Sequence, residues 1–414
     1  MKKIFVIVII LFLLVANSFD LTSYSSSYFN VKISSNEAKI FKQLRLGTYR
    51  GKLYKAVFAI VKGGSSFQNK FLKIIDRIKN SSQFKKAKNK YEKGDAILQL
   101  LHKYLFRIYE GNDASLSSVF NRGIFNCVSS SVIFNMASDY FGISTGGAVI
   151  PSHVFSIVTI NNKKIDVEPT VKYGFDTGKR RHIHDEFKRL TGFVYVPPSS
   201  PNRKPINSFQ LVSYIFSQMG NVEGMNNRHR ESLKLFVRSL MIYPKNESGL
   251  VGIKIAYYKI AQKYSSSGEY LKGLKLLQEL LSLFPSDVTI KKGINVFLNN
   301  SVVELASKKM FNKVFSLFDN VRENPVFLKS VKLLEPDMYR QETNYLMERG
   351  EFKKALLRIK KGIVKYQNLE VLVSIIQNNW ITRLVKENRY QRALTLINNI
   401  GKTNPLVFNR TRYV

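Results

Sequence analysis

One cysteine, Cys127, stands in 414 residues. Its solitude excludes an intrachain disulfide framework and any zinc or iron–sulfur site built on several thiolates. Tryptophan is equally scarce, with Trp380 alone. Acidic side chains are few: 29 Asp and Glu face 65 Lys and Arg, a formal net charge of +36. No apolar run reaches the length of about eighteen residues that a membrane-spanning helix needs. What is present is enough for real cores. Hydrophobic residues make up 44% and aromatics 12%, which excludes wholesale disorder. The length suggests two to three domains.

The N-terminus predicts an export signal over residues 1–18. Lys2 and Lys3 precede twelve uncharged apolar residues, Ile4 to Val15, and Ala16-Asn17-Ser18 offers a small-x-small cleavage site. Twelve helical residues span roughly 18 Å, short of a ~30 Å hydrocarbon core. An uncleaved anchor is the alternative. Either way the chain is expected to be exported across the cytoplasmic membrane of a bacterium, to the periplasm or envelope. Net charge is +13 over residues 19–93, +2 over 94–200 and +19 over 201–414. It is spread along the chain with no RNA- or DNA-binding motif to focus it, so no nucleic-acid partner is expected. Within the basic region 19–93, the stretch Lys32–Lys93 is the one that an anionic envelope surface would meet.

Apolar spacing predicts helices over 36–60 and 67–110. Val128, Val132, Met136 and Tyr140 recur every four residues, an amphipathic helix opening at Cys127. The period then changes. Val154 to Ile160 predicts a strand, Asn161-Asn162 a turn, and Ile165 to Glu168 a second strand. Prolines 197, 198, 201 and 205 mark a linker over 197–206. These boundaries predict an α+β domain at 94–196, a helix packed on antiparallel strands, followed by an all-α region at 207–414.

That region repeats. Gly268-Glu269-Tyr270 leads to Gly273; Gly350-Glu351-Phe352 leads to Ala355; Asn388-Arg389-Tyr390 leads to Ala393. Weaker copies lead to Ser232 and Val314. The small-residue positions are spaced by 41, 41, 41 and 38 residues, and Pro244, Pro285, Pro325 and Pro405 follow second helices. The pattern resembles the tetratricopeptide repeat in a longer, divergent form, which implies a solenoid of helix pairs that binds a protein or peptide partner.

Cys127 is the residue to weigh. A free cysteine often serves as a small buried hydrophobe. Here it opens a helix, where the dipole favours a thiolate and unpaired backbone N–H groups can hold an oxyanion. His153 begins the first strand of the hairpin, and alternation puts it on one face with Asp166 and Glu168. A two-residue turn pairs 153 with 170 and 155 with 168, which favours Glu168 over Asp166 as the carboxylate beside the histidine. Asn126 reads as an oxyanion donor or as the helix N-cap. His102 and His229 fall on helical faces and read as structural. His182 and His184 lie in a basic segment without a cysteine or carboxylate frame, so no metal site and no cofactor are expected.

Gly123-Ile124-Phe125-Asn126-Cys127, Pro151-Ser152-His153-Val154-Phe155 and Ile165-Asp166-Val167-Glu168-Pro169-Thr170 together resemble the transglutaminase-like superfamily, with its papain-type core. The resemblance implies Cys127 as nucleophile, His153 as base and Glu168 as third member. The family usually carries aspartate there, so Asp166 stays open beside it. Acyl transfer at an amide bond is the implied chemistry, by peptidase, amidase or cross-linking activity, with the Cys127 N–H and Asn126 stabilising the oxyanion. A catalytically inactive envelope adaptor that works through its repeats is the alternative.

Overall fold

A computed structural model describes residues 33–49 and 51–403. The predicted signal at 1–18 and Pro405 lie outside the described residues. The chain is mostly helical with a small antiparallel sheet, and it divides into two compact units, residues 1–260 and 261–414. Among the described residues no helix is long and apolar enough to cross a membrane.

The first unit opens with helices α1 (Ser35–Leu46), α2 (Leu53–Ile60), α3 (Gly64–Asn80), α4 (Ser82–Lys86) and α5 (Lys90–Tyr104). The two long helices expected here are thus broken. Gly47 ends α1 at φ +65°. Ser81 and Asn89 each cap a new helix by accepting the N–H of Phe84 and Glu92. Strand β1 (Ile108–Tyr109), α6 (Leu116–Arg122) and β2 (Ile124–Phe125) follow, the two strands pairing in parallel. Helix α7 (Cys127–Tyr140) comes next, then strands β3 (Ser144–Ile150), β4 (His153–Ile160) and β5 (Lys163–Val167), helix α8 (His184–Thr191) and strand β6 (Lys204–Asn207). The sheet order is β5-β4-β3-β6, all antiparallel.

The boundaries drawn from sequence shift. Residues 33–93 form no separate region: Phe41, Val57, Phe71 and Ile75 share one core with Val132 and Phe134 of α7. A boundary at 93/94 would fall inside α5. Each fully buried Phe contributes roughly 1.5–3 kcal/mol, so these helices cannot be separated from α7 without large loss. The expected linker at 197–206 runs at its end into an edge strand, Lys204–Asn207, paired with β3. Strand β3 escaped sequence reading because its Gly146-Gly147 pair dilutes the apolar signal. A Cβ on Gly146 would lie 2.8 Å from the Ile206 carbonyl, so the glycine lets the proline-bearing edge strand approach.

Beyond β6 the helices come in pairs: α9 (Ser208–Met225) with α10 (His229–Ile242), and α11 (Glu247–Ser266) with α12 (Tyr270–Leu283). Three more follow: α13 (Val288–Ser307) with α14 (Phe311–Val321), α15 (Pro325–Glu348) with α16 (Phe352–Ile363), and α17 (Val371–Lys386) with α18 (Tyr390–Thr403). The α9–α10 hairpin belongs to the first unit, so the all-α unit does not begin at 207. In every pair the turn holds one residue at positive φ: Asn227, Gly268, Lys309, Gly350 and Asn388. The repeated small positions are close contacts. A Cβ on Gly273 would lie 2.6 Å from the Phe297 ring, and Ala355 and Ala393 are buried. Trp380 stacks on Phe352 with centroids 5.9 Å apart.

Candidate active site

Asn126 builds the start of α7. Its Oδ1 accepts the N–H groups of Val128 and Ser129, both at 3.0 Å. Ser129 Oγ accepts the Asn126 N–H at 3.0 Å, closing a capping box. The Ser130 N–H donates to the Asn126 carbonyl. The Cys127 N–H is the first-turn donor that these bonds leave over, and it lies beside the thiol. One Nδ2 hydrogen of Asn126 goes to the Gly111 carbonyl at 3.1 Å, which leaves its second hydrogen as a donor.

His153 is set by a tight turn. Ile150 pairs with His153, and Ser152 between them sits at φ +64°. Ser156 Oγ donates to the Ser131 carbonyl of α7 at 3.3 Å. One helical turn back from Ser131 lies Cys127, and three residues back from Ser156 lies His153. The strand and the helix thus begin at one end of the layer.

The hairpin register is that of a two-residue turn. Ile160 pairs with Lys163 and Ser156 with Val167, while Asn161 and Asn162 take φ +49° and +60°. Glu168 follows directly on β5, and His153 Nε2 meets its Oε2 at 2.7 Å. The other carboxylate oxygen, Oε1, accepts the Thr170 hydroxyl at 2.7 Å and its N–H at 3.3 Å. Nδ1 of His153 is buried without a hydrogen-bond partner, and Cys127 lies close enough to raise the ring's pKa. The three side chains are brought together in the order thiol, imidazole, carboxylate.

Asp166 is elsewhere. It accepts the Tyr195 hydroxyl at 2.6 Å and a two-pronged bond from Arg203. Arg203 also lies 4.9 Å over the Phe155 ring. Asp166 thereby ties down the segment that runs from α8 to β6 across the histidine. Phe193 of that segment stacks on the imidazole at 4.9 Å, Phe187 lies at 5.3 Å and Phe155 at 6.2 Å. A small cavity lined by His153, Glu168, Thr177 and Val194 remains beneath it. This cover leaves no local signal in the chain, because Arg203 reaches Asp166 across 37 residues and the segment's prolines imitate a linker.

The electrostatics follow from burial and pairing. Burial by itself would lower the His153 pKa. The Glu168 charge, with hydrogen bonds to Cys127 and Glu168, outweighs it and pushes the value up to about 10. His102 goes the other way. It is buried, Nε2 donates to the Pro169 carbonyl at 3.0 Å, and desolvation holds it down to about 4, a neutral strut behind the Glu168–Thr170 corner. Tyr109, missed in the sequence, pairs with Phe125 on β2. Its phenol pKa is raised by burial first and then by Cys127 and Glu168.

Among the described residues no group of three His, Cys, Asp or Glu side chains could hold a metal ion. His184 Nε2 donates to the Thr177 carbonyl at 3.0 Å, and its ring stacks on Tyr195. Ser130 bonds within its own helix, to the Asn126 carbonyl at 2.7 Å. The site is shielded: Cys127 is 8% exposed, His153 2% and Glu168 4%. No protein-family model matches the chain, and no curated protein matches it in sequence.

Proposed function

We propose that this chain is an exported cysteine enzyme of the transglutaminase-like type that transfers acyl groups from amide bonds. The observation that carries the proposal is the 2.7 Å contact between His153 Nε2 and Glu168, with the lone thiol at a helix start near enough to act on the imidazole. In this reading the imidazolium holds the proton that the thiol gives up. The thiolate attacks the amide carbonyl, and the Cys127 N–H donates to the oxyanion. The imidazolium then protonates the departing amine. Water or a second amine, deprotonated by His153, releases the acyl group from sulfur. Glu168 orients the ring and stabilises its charge. The chain's own side chains supply every proton transfer, so the reaction needs no cofactor.

The helical pairs of the second unit are proposed to form a tetratricopeptide-like solenoid that holds a protein or peptide partner. In the second unit, a groove lined by Asn344, Glu348, Phe352, Asn379, Arg383 and Lys386 offers amides, an aromatic ring and charges of both signs to a peptide. A second reading, an inactive envelope adaptor acting through these repeats, is favoured by the burial of Cys127.

A thiol-directed electrophile decides between the two. Under the enzyme reading Cys127 labels faster than free cysteine near neutral pH, and His153→Ala slows it. Equal rates in the two proteins support the adaptor. An enzyme is also expected to release amine or ammonia from a peptide library, and Cys127→Ser is expected to abolish that release.

A further inference from the structure

The densest run of unpaired positive charge lies far from the Cys–His–Glu site in function. Residues 79–93 carry six lysines and one acid, Glu92. They form the last turn of α3, all of α4 and the first turn of α5. Lys79, Lys85, Lys86, Lys88 and Lys90 are exposed, and Lys93 lies 5.9 Å over the Phe84 ring. Phe84 is buried and packs on Phe141 just past the end of α7, with centroids 4.5 Å apart. The lysines therefore surround one anchored aromatic. They belong to the end of α7 opposite Cys127, about 20 Å away along a helix of this length.

A second basic run allows a comparison. Between 353 and 365 there are also six basic residues, but three are held by carboxylates: Lys354 by Glu351, Arg358 by Glu342 and Lys365 by Glu335. Among the described residues no carboxylate holds an ammonium group of the 79–93 run. Glu92, the one acid present, is engaged at the start of α5, accepting the Lys88 N–H at 2.7 Å and the Asn89 amide at 2.8 Å. Like charges gathered without counter-charges repel one another, and an external polyanion relieves that repulsion.

We propose that the Lys79–Lys93 face docks on anionic lipid headgroups. It presents exposed lysines along one run, with no arginine fork and no exposed aromatic for stacking on bases. A fluid headgroup layer meets such a surface better than a nucleic acid does. The expected export segment at 1–18 brings the same end of the chain to a membrane. The fourteen residues 19–32 separate it from the described start, and at most about 3.6 Å each gives a reach of roughly 50 Å.

The test uses the full chain and vesicle flotation. Vesicles of phosphatidylcholine with about 30% phosphatidylglycerol are compared with phosphatidylcholine alone, so the N-terminal apolar run is common to both arms. Wild type is expected to bind the anionic vesicles at least about tenfold better, and to lose that preference between about 50 and 500 mM salt. The triple variant Lys85→Gln, Lys86→Gln, Lys88→Gln is expected to lose it, and the arginine triple variant to retain it. A matched control, Lys353→Gln, Lys360→Gln, Lys361→Gln, removes the same charge and is expected to bind as wild type does. Equal losses in the two glutamine triples, no preference for anionic vesicles, or tighter binding to a DNA oligonucleotide each overturn the proposal. Labelling of Cys127 is expected to be the same in all four proteins, so the outcome is independent of the enzyme reading.

Discussion

Glu168 reaches the His153 imidazole at 2.7 Å because the hairpin between them turns on two residues only, Asn161 and Asn162. Both take positive φ, which asparagine tolerates better than other side chains. A one-residue slip would send Glu168 to the other face of the sheet. The register therefore decides which carboxylate meets the histidine, and the two carboxylates are expected to respond differently to mutation. Glu168→Gln keeps the shape and removes the charge. It is expected to lower stability where His153 is protonated, because the buried imidazolium loses its counter-charge, and to slow Cys127 alkylation by roughly ten- to a hundredfold. Asp166→Asn leaves Arg203 buried without its counter-charge and is expected to destabilise by about 3–5 kcal/mol. Denaturant titration and iodoacetamide kinetics on both variants separate the roles; the reverse pattern would make Asp166 the catalytic carboxylate.

The raised pKa of His153 gives a pH signature. Folding holds the proton more tightly than the unfolded chain does, so the stabilisation is fully present below the ordinary histidine value near 6.5. It is lost as pH rises from there through about 10. Wild type is expected to lose denaturant resistance across that window more steeply than His153→Gln. In labelling, His153 as the base predicts that Cys127 reacts faster than free cysteine at neutral pH. His153→Ala is expected to remove that excess rate. Equal rates in the two proteins would rule out that role.

His102 supplies a test at the acid end with the opposite sign. Its folded pKa of about 4 lies below the ordinary value. The stability it confers is present above about 6.5 and is lost as pH falls through about 4. His102→Gln keeps a donor for the Pro169 carbonyl without a titrating group. It is expected to flatten the acid limb of the stability profile between those limits, measured as the urea midpoint from about pH 7 to 4. An unchanged acid limb would remove His102 from the account.

The parts of the site legible in the sequence are local ones. Asn126 followed by the apolar period of α7 locates the helix start, and Asn161-Asn162 between alternating residues locates the turn and so the face of Glu168. The repeat turns were legible too, because the aromatic and the small residue recur at fixed spacing. Contacts distant along the chain left no local trace. The Arg203–Asp166 pair spans 37 residues, and Phe193 covers His153 from a segment whose prolines suggest a linker. Lys52 ties α2 to the Asp139 carbonyl across 87 residues, so the basic N-terminal helices looked separable when they are part of the core.

The five repeat turns carry one conformational demand and meet it unequally. Asn227, Gly268, Lys309, Gly350 and Asn388 hold the same place, two residues before the second helix, and all take φ between +57° and +76°. Glycine meets that demand without cost and asparagine at small cost. Lysine has neither glycine's freedom nor asparagine's short polar side chain, and left-handed backbone costs ordinary residues roughly 1–2 kcal/mol. Glycine in turn loses more entropy on folding, which offsets part of the relief. Lys309→Gly is therefore expected to stabilise the chain by up to about 1 kcal/mol. Gly350→Lys, at the equivalent turn, is expected to destabilise it by more. A Cβ there would lie 2.9 Å from the Arg383 guanidinium, adding a clash and a like charge to the backbone cost. Thermal unfolding of the two variants reads both signs. If Lys309→Gly destabilises, the turn is held by contacts of the lysine side chain and not by backbone preference.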